Sequence, residues 1–243
     1  MTDETRKPDP MIGLEIDGGR YVLEKRLGAG GMGSVYLARQ RSVQRLVAIK
    51  MIHENLLVEP SVRARFRREA KVLAALQEPH CVTVHDFGET ANGQLYIVME
   101  RLVGRTLADA LEQDGSLSMT TFILIMRQLC IGIQTAHRNG LVHRDLKPEN
   151  VFLEAADTGI RVKVLDFGLV KIVEDNGFEG SDPKWTQSGC IFGTPQYMSP
   201  EQALGNSVDQ RSDIYSLGLI AHECLSGKPT FSGHTPQQIL VAQ

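Results

Sequence analysis

The stretch RLGAGGMGSVYLAR, residues 26–39, places four glycines, Gly28, Gly30, Gly31 and Gly33, within six positions. A residue without Cβ lets backbone N–H groups close on an anion, so a loop of this kind can cradle phosphate. The segment after the loop decides whose phosphate it is. A dinucleotide fingerprint and a P-loop both open a helix whose N-terminus faces the phosphates. Here Val35-Tyr36-Leu37-Ala38 is aromatic, β-branched and alternating, which predicts a strand. The preceding run from Tyr21 to Leu27 reads as another strand, so the glycines sit at the tip of a β-hairpin. No Gly-Lys-Ser/Thr ending is present, which removes the P-loop.

The 243 residues suffice for one large domain or two lobes. A formal net charge of −3 and the lack of a basic tail exclude a nucleic-acid-binding surface built on charge. Arg63, Arg65, Arg67 and Arg68 cluster, but at helical spacing beside apolar Val62, Phe66, Val72 and Leu73, which reads as a solvated helix face. Cys81, Cys130, Cys190 and Cys224 lie far apart, with neither zinc spacing nor a disulfide framework, and point to a reducing cytosolic setting. Met1 to Pro10 carries no apolar leader, and the runs Phe122–Met126 and Leu217–Ala221 are too short to span a bilayer.

Leu46 to Ile52 predicts a third strand, and Val82–Val84 and Leu95–Met99 two more, with Asn92-Gly93 as the turn between them. Residues 60–77 switch to helical period, with Val62, Phe66, Val72-Leu73 and Leu76 on one stripe. Beyond residue 100 long helices take over. Phe122, Ile125, Leu129, Ile133 and Ala136 form the face of one, closed by Asn139-Gly140. Residues 209–226 form another, apolar nearly all round and so expected at the centre of a helical domain, ending before Gly227 and Pro229.

Several segments then fall in a fixed order: GAGGMG, VAIK at Val47 to Lys50, Glu69 on the amphipathic helix, HRDLKPEN at His143 to Asn150, DFG at Asp166 to Gly168, and SPE at Ser199 to Glu201. This ordered series resembles the eukaryotic-like protein kinases, and GTPQYMSPEQ is most similar to bacterial Hanks-type serine/threonine kinases. The resemblance implies an α+β bilobal protein-kinase fold: a polar tail over 1–18, an N-lobe over 19–100 with a five-stranded antiparallel sheet and one long helix, a hinge over 101–104, and a mainly helical C-lobe over 105–243. It also implies transfer of the γ-phosphoryl group of ATP, with Mg²⁺ or Mn²⁺, to Ser/Thr hydroxyls of protein substrates.

The roles the resemblance carries match the phosphoryl-transfer template, in which catalysis is alignment plus charge neutralisation. Leu27, Gly28, Ala29, Gly30, Gly31, Met32, Gly33, Ser34 and Val35 would cover the nucleotide, and Val35, Ala48 and Met99 would wall in adenine. Backbone groups of Glu100 and Leu102 would make the hinge hydrogen bonds. Lys50, held by Glu69, would grip the α/β-phosphates, and Asn150 and Asp166 would hold the metal ions. Asp145 would orient the acceptor hydroxyl, Lys147 would neutralise the γ-phosphate, and Thr194 would support the substrate platform. His143 is expected as a packed core histidine under Phe167, and Asp213 as a buried carboxylate orienting the catalytic-loop backbone.

Arg144 before Asp145 fits the pattern of control by activation-loop phosphorylation, with Thr186 and Ser188 as autophosphorylation sites and Arg144, Lys171 and Arg65 as phosphate receivers. Autophosphorylation implies a second copy of the chain as a partner. Kinases of this family continue past the position of Gln243 with further helices that supply an arginine to Glu201, so a C-lobe cut short, with that carboxylate lacking its partner, is expected. Two other readings compete: a nucleotide-responsive pseudokinase, disfavoured because Lys50, Asp145, Asn150 and Asp166 are all present, and a small-molecule kinase, disfavoured by the Gly-Thr-Pro and Ser-Pro-Glu segments. The segment carries no feature for membrane contact, and a cytoplasmic location is expected.

Overall fold

A computed structural model describes residues 9–56, 60–156, 159–167, 194–231 and 235–243. The chain divides into two units, Met1–Ala70 with Thr83–Leu102, and Lys71–Val82 with Val103–Gln243. Residues 71–82, which the sequence reading places in the N-lobe, thus belong to the second unit.

The first unit is built on an antiparallel sheet in the order β1-β2-β3-β4-β6-β5. Its strands are β1 (Glu15–Ile16), β2 (Tyr21–Gly30), β3 (Gly33–Gln40), β4 (Arg45–Ile52), β5 (Val84–Glu89) and β6 (Leu95–Glu100). Five were expected, and β1 is the addition. It lies inside the expected polar tail, where two residues are too few to show a period, yet Ile16 is 1% exposed and pairs with Tyr21.

Strand alternation sorts the sheet into two faces. Val35 lies opposite Lys50, and Ala48 and Lys50 lie opposite Met99 and Ile97, so these five residues share one face. The other face buries Tyr36, Ala38, Val47, Ile49, Met51, Tyr96 and Val98 together with Tyr21 and Leu23. Each large side chain removed from water there contributes about 1.5–3 kcal/mol, and a one-residue slip would turn the whole set outward. The core therefore fixes which way Lys50 faces.

Helix α1 (Pro60–Ala75) buries Val62, Phe66, Ala70 and Leu73 on one stripe. The arginines on its other side are not simply solvated. Arg63 and Arg67 both reach Glu89, at 2.9 and 2.7 Å, and Arg63 also donates to the Gly93 carbonyl in the β5–β6 turn.

The second unit holds α2 (Leu107–Asp114), α3 (Met119–Arg138), α4 (Pro200–Ala203), α5 (Gln210–Ser226) and α6 (Pro236–Ala242). It also holds a sheet that the sequence reading lacks, β7 (Gly104–Thr106), β8 (Val151–Ala156) and β9 (Gly159–Val164), all antiparallel. The expected strand Val82–Val84 is split: Val82 donates to the Val164 carbonyl in this unit, whereas Val84 opens β5 in the other.

Helix α3 starts at its Ser118 cap and buries Ile125, Leu129, Ile133 and Ala136 at 0–1% exposure. Among the described residues it is the one helix long and apolar enough to cross a membrane, a length the separate apolar runs did not suggest. Helix α5 runs from its Asp209 cap to Gly227, whose left-handed backbone (φ 72°) closes the helix. Its inward face mixes Leu217, Leu219, Ile220 and Cys224 with Ser212, Asp213 and Ser216, while Ile214 and Leu225 stay exposed. The expectation of an all-round buried helix therefore fails on one flank.

Candidate active site

Asp213, on the first turn of α5, is 1% exposed and accepts three hydrogen bonds. Two come from the backbone N–H groups of His143 and Arg144, both at 2.9 Å, and one from His137 Nε2 at 2.6 Å. Burial alone would push its carboxyl up, but the hydrogen bond from His137 and those from the two N–H groups outweigh it and hold the carboxyl below the usual aspartate range. The carboxylate thereby fixes the backbone directly before Asp145, and Gln202 Nε2 fixes it again by donating to the Arg144 carbonyl at 2.6 Å. Arg144 sits at φ +66°, a conformation a non-glycine residue keeps only when its surroundings hold it there.

His143 is fully buried and stacks on Phe167 with ring centroids 4.9 Å apart. Its Nδ1 accepts from the Asp145 N–H at 3.3 Å, so the proton is on Nε2, which donates to the Leu165 carbonyl at 2.7 Å. Both ring nitrogens are committed, and the imidazole is a spacer rather than a base. The Leu165 N–H donates to the Asn150 carbonyl at 2.9 Å, which brings the chain at Asp166 alongside Asn150. Asp166 is itself left-handed, at φ +56°.

Around this frame the predicted residues meet. Lys147 Nζ lies 2.9 Å from Asp145 Oδ2 and donates to Thr194 Oγ1 at 3.1 Å. Asn150 Nδ2 donates to the Asp145 carbonyl at 2.7 Å and to its carboxylate at 3.2 Å. The amide nitrogen is thus turned toward Asp145, leaving Oδ1 as the edge that faces elsewhere, the edge a cation would need. Asp145, Lys147, Asn150 and Thr194 form one hydrogen-bonded cluster.

In the first unit the glycine run spans the β2–β3 hairpin: Gly30 pairs with Gly33 across the two-residue turn Gly31-Met32. Its glycines do different work. A Cβ on Gly33 would collide with the Met51 carbonyl, so that glycine is required by the neighbouring strand. Gly28, Gly30 and Gly31 have no heavy atom within 4 Å of a built Cβ, which leaves room over Leu27, Ala29, Met32 and Ser34 for something outside the protein. Ser34 itself accepts from Arg26 at 3.0 Å. Lys50 is 6% exposed on the sheet face it shares with Val35, Ala48 and Met99. Glu69, on α1, forms an ion pair with Arg68 at 3.5 Å. The Glu100 N–H goes to the Thr83 carbonyl at 3.0 Å, which narrows any hinge contact at Glu100 to its carbonyl.

The Ser212 hydroxyl donates to Glu201. His137 and Gln202 were not foreseen as supports. Gln202 had a partial signal, because Ser199 and Gln202 form a capping box at the start of α4, but its bond to Arg144 spans 58 residues and has no local trace. Gly168, Thr186 and Ser188 lie outside the described residues.

Residues 21–243 match the family model for the protein kinase domain, and the chain belongs to that family. It is similar to the serine/threonine-protein kinase PknB of Mycobacterium tuberculosis, 43% identical over 90% of this chain and 34% of that protein. It is also 40% identical to the serine/threonine-protein kinase pkn2 of Myxococcus xanthus, over 96% of this chain and 27% of that protein. The chain therefore spans about a third of the length of the curated relatives it matches. A crystal structure of a cysteine-to-alanine mutant of the Mycobacterium tuberculosis PknI kinase domain superposes with a TM-score of 0.72 at 29% identity, covering 91% of this chain and 79% of that one.

Proposed function

We propose that this chain transfers the γ-phosphoryl group of ATP to serine or threonine hydroxyls of proteins. The observation that carries the reading is the hydrogen-bonded set Asp145, Lys147, Asn150 and Thr194, held by Asp213 through the backbone of His143 and Arg144. Asp145 accepts and aligns the acceptor hydroxyl, and Lys147 beside it supplies the positive charge that the transferring phosphoryl oxygens need. A nearby ammonium in a partly buried site acts more strongly than in water.

The residues fit a metal-nucleotide complex. In the second unit Asn150 turns its oxygen edge away from Asp145, and the Leu165 backbone bond brings the chain at Asp166 alongside it; in the first, three uncrowded glycines leave a cradle for phosphates. Asn150 and Asp166 would hold Mg²⁺, or Mn²⁺, and Lys50, braced by Glu69, would take the α/β-phosphates. When bound, Mg-ATP supplies the phosphoryl group and neutralises the charge that develops on it. Ala48, Val35 and Met99 supply the apolar wall for adenine, and the Glu100 carbonyl and the Leu102 backbone its polar contacts.

Control by the chain's own activity belongs to the same reading. Among the described residues two buried side-chain nitrogens lack a hydrogen-bond partner, Arg65 Nη1 and Arg144 Nε. A buried guanidinium nitrogen left unpaired favours an incoming anion, and phosphates on Thr186 and Ser188, placed there by a second copy of the chain, have the matching charge. The substrates are proteins, and their encounter with the Thr194 platform sets the acceptor. An assay with Mg-ATP and a generic basic protein acceptor should show phosphate on Ser/Thr, falling by at least about a thousandfold in Asp145→Asn. Mg-ATP binding without transfer in the unaltered chain would favour a nucleotide-responsive binding module instead. Mass spectrometry of active protein should find Thr186 and Ser188 modified.

A further inference from the structure

His53 makes an arrangement that none of the roles above uses. It comes directly after β4, three residues beyond Lys50, and reaches back twice to the turn of the glycine hairpin. Its backbone N–H donates to the Met32 carbonyl at 3.0 Å, and its ring Nε2 lies 3.2 Å from the Gly30 carbonyl. A carbonyl only accepts, so in this contact Nε2 carries the proton. The turn residues Gly31 and Met32 are thereby bracketed by two bonds to a single residue.

No described peptide bond is cis, so the Gly30 carbonyl and the Gly31 N–H project in opposite directions from their shared plane. Holding the carbonyl toward His53 holds the N–H away from it. That N–H has no backbone partner among the described residues. Beside it lie Gly28, Gly30 and Gly31, uncrowded at every Cβ position. A fixed backbone donor among bare glycines is what an anion-binding nest consists of. Without the ring bond, the pairing of Gly30 with Gly33 would still close the hairpin, but that pairing alone would hold the Gly30 carbonyl, and the Gly31 N–H would be less firmly aimed.

We propose that His53 is a positioning residue for the nucleotide's phosphates, gripping the Gly30 and Met32 carbonyls so that the Gly31 N–H is presented to a phosphate oxygen. The inference rests on reading the glycine hairpin as the ATP loop. The ring touches neither ATP nor the acceptor, so its effect falls on phosphate affinity and not on transfer.

Isothermal titration of the purified chain with Mg-ATP and with adenosine, which has no phosphate, tests this. His53→Ala should weaken Mg-ATP about fivefold, roughly what one hydrogen bond contributes. Adenosine affinity, kcat at saturating ATP and the melting temperature should stay unchanged. His53→Gln, whose amide can donate from the Nε2 position, should return to within about twofold of the unaltered chain. Equal Mg-ATP affinity in His53→Ala, equal loss of ATP and adenosine, or a Gln variant no better than Ala would each overturn the role of His53. An unaltered chain that binds no Mg-ATP overturns the nucleotide reading itself, and the inference with it.

Discussion

The two units place their functional groups by different means. In the first, strand register positions Lys50, Val35, Ala48 and Met99 on one face: the opposite face of the sheet is buried, and the pleat sets the direction. In the second, Asp145 sits on a loop of irregular backbone held by side chains from distant segments, Asp213 on α5 and Gln202 on α4. Register is held by many weak contacts and tolerates the loss of any one. A loop hung on a few strong buried bonds does not.

The largest effect should therefore come from Asp213. Asp213→Asn removes an ionised acceptor from two buried N–H groups and from His137, and should cost about 3 kcal/mol in urea unfolding, with loss of activity. The same residue sets an acid limb. Its carboxyl keeps its proton less readily in the folded chain than in the unfolded one. The ionised group therefore stabilises the fold above about pH 4, and that contribution is lost as pH falls through the lower folded value. Stability measured against pH should fall less steeply below about pH 4 in Asp213→Asn than in the unaltered chain. If the variant keeps full stability, the loop is not hung on Asp213 and the contrast between the units fails.

A smaller effect separates the glycines. Gly33→Ala must push a methyl group against the Met51 carbonyl and should lower stability by about 1–3 kcal/mol in thermal unfolding. Gly30→Ala meets nothing and should change stability by less than about 1 kcal/mol while weakening Mg-ATP binding. Equal melting temperatures for the two would show that the hairpin is looser than its register implies. The smallest effect belongs to Glu89, whose pairs with Arg63 and Arg67 are a third to a half exposed; Glu89→Ala should cost only about 0.5–1 kcal/mol.

That same contrast governs how much the sequence could disclose. Alternation made β3, β4 and β6 readable within a residue or two, and the period of α3 and α5, with Asn139 and Gly227 behind them, marked where those helices end. The motif series named Asp145, Lys147, Asn150 and Thr194, which the structure links by hydrogen bonds, without any distance in hand. Three things left no local mark. Strand β1 is two residues long, the β7–β9 sheet joins segments some fifty residues apart, and the run Val82–Val84 is divided between units although it reads as one strand. Ser212, Asp213 and Ser216 on the buried side of α5, with Ile214 outside, show polar loop support overriding the apolar stripe that helical periodicity expects.

Arg144 and Asp166 both occupy the left-handed region, where glycine would rest at ease and each of them carries a penalty of about 1 kcal/mol or more. Such a conformation lasts only while every neighbour stays in place. Gentle warming or dilute denaturant should accordingly silence the proposed transfer activity while the helices and sheets are still intact, so that assays of structure would certify as healthy a protein whose site has already come apart.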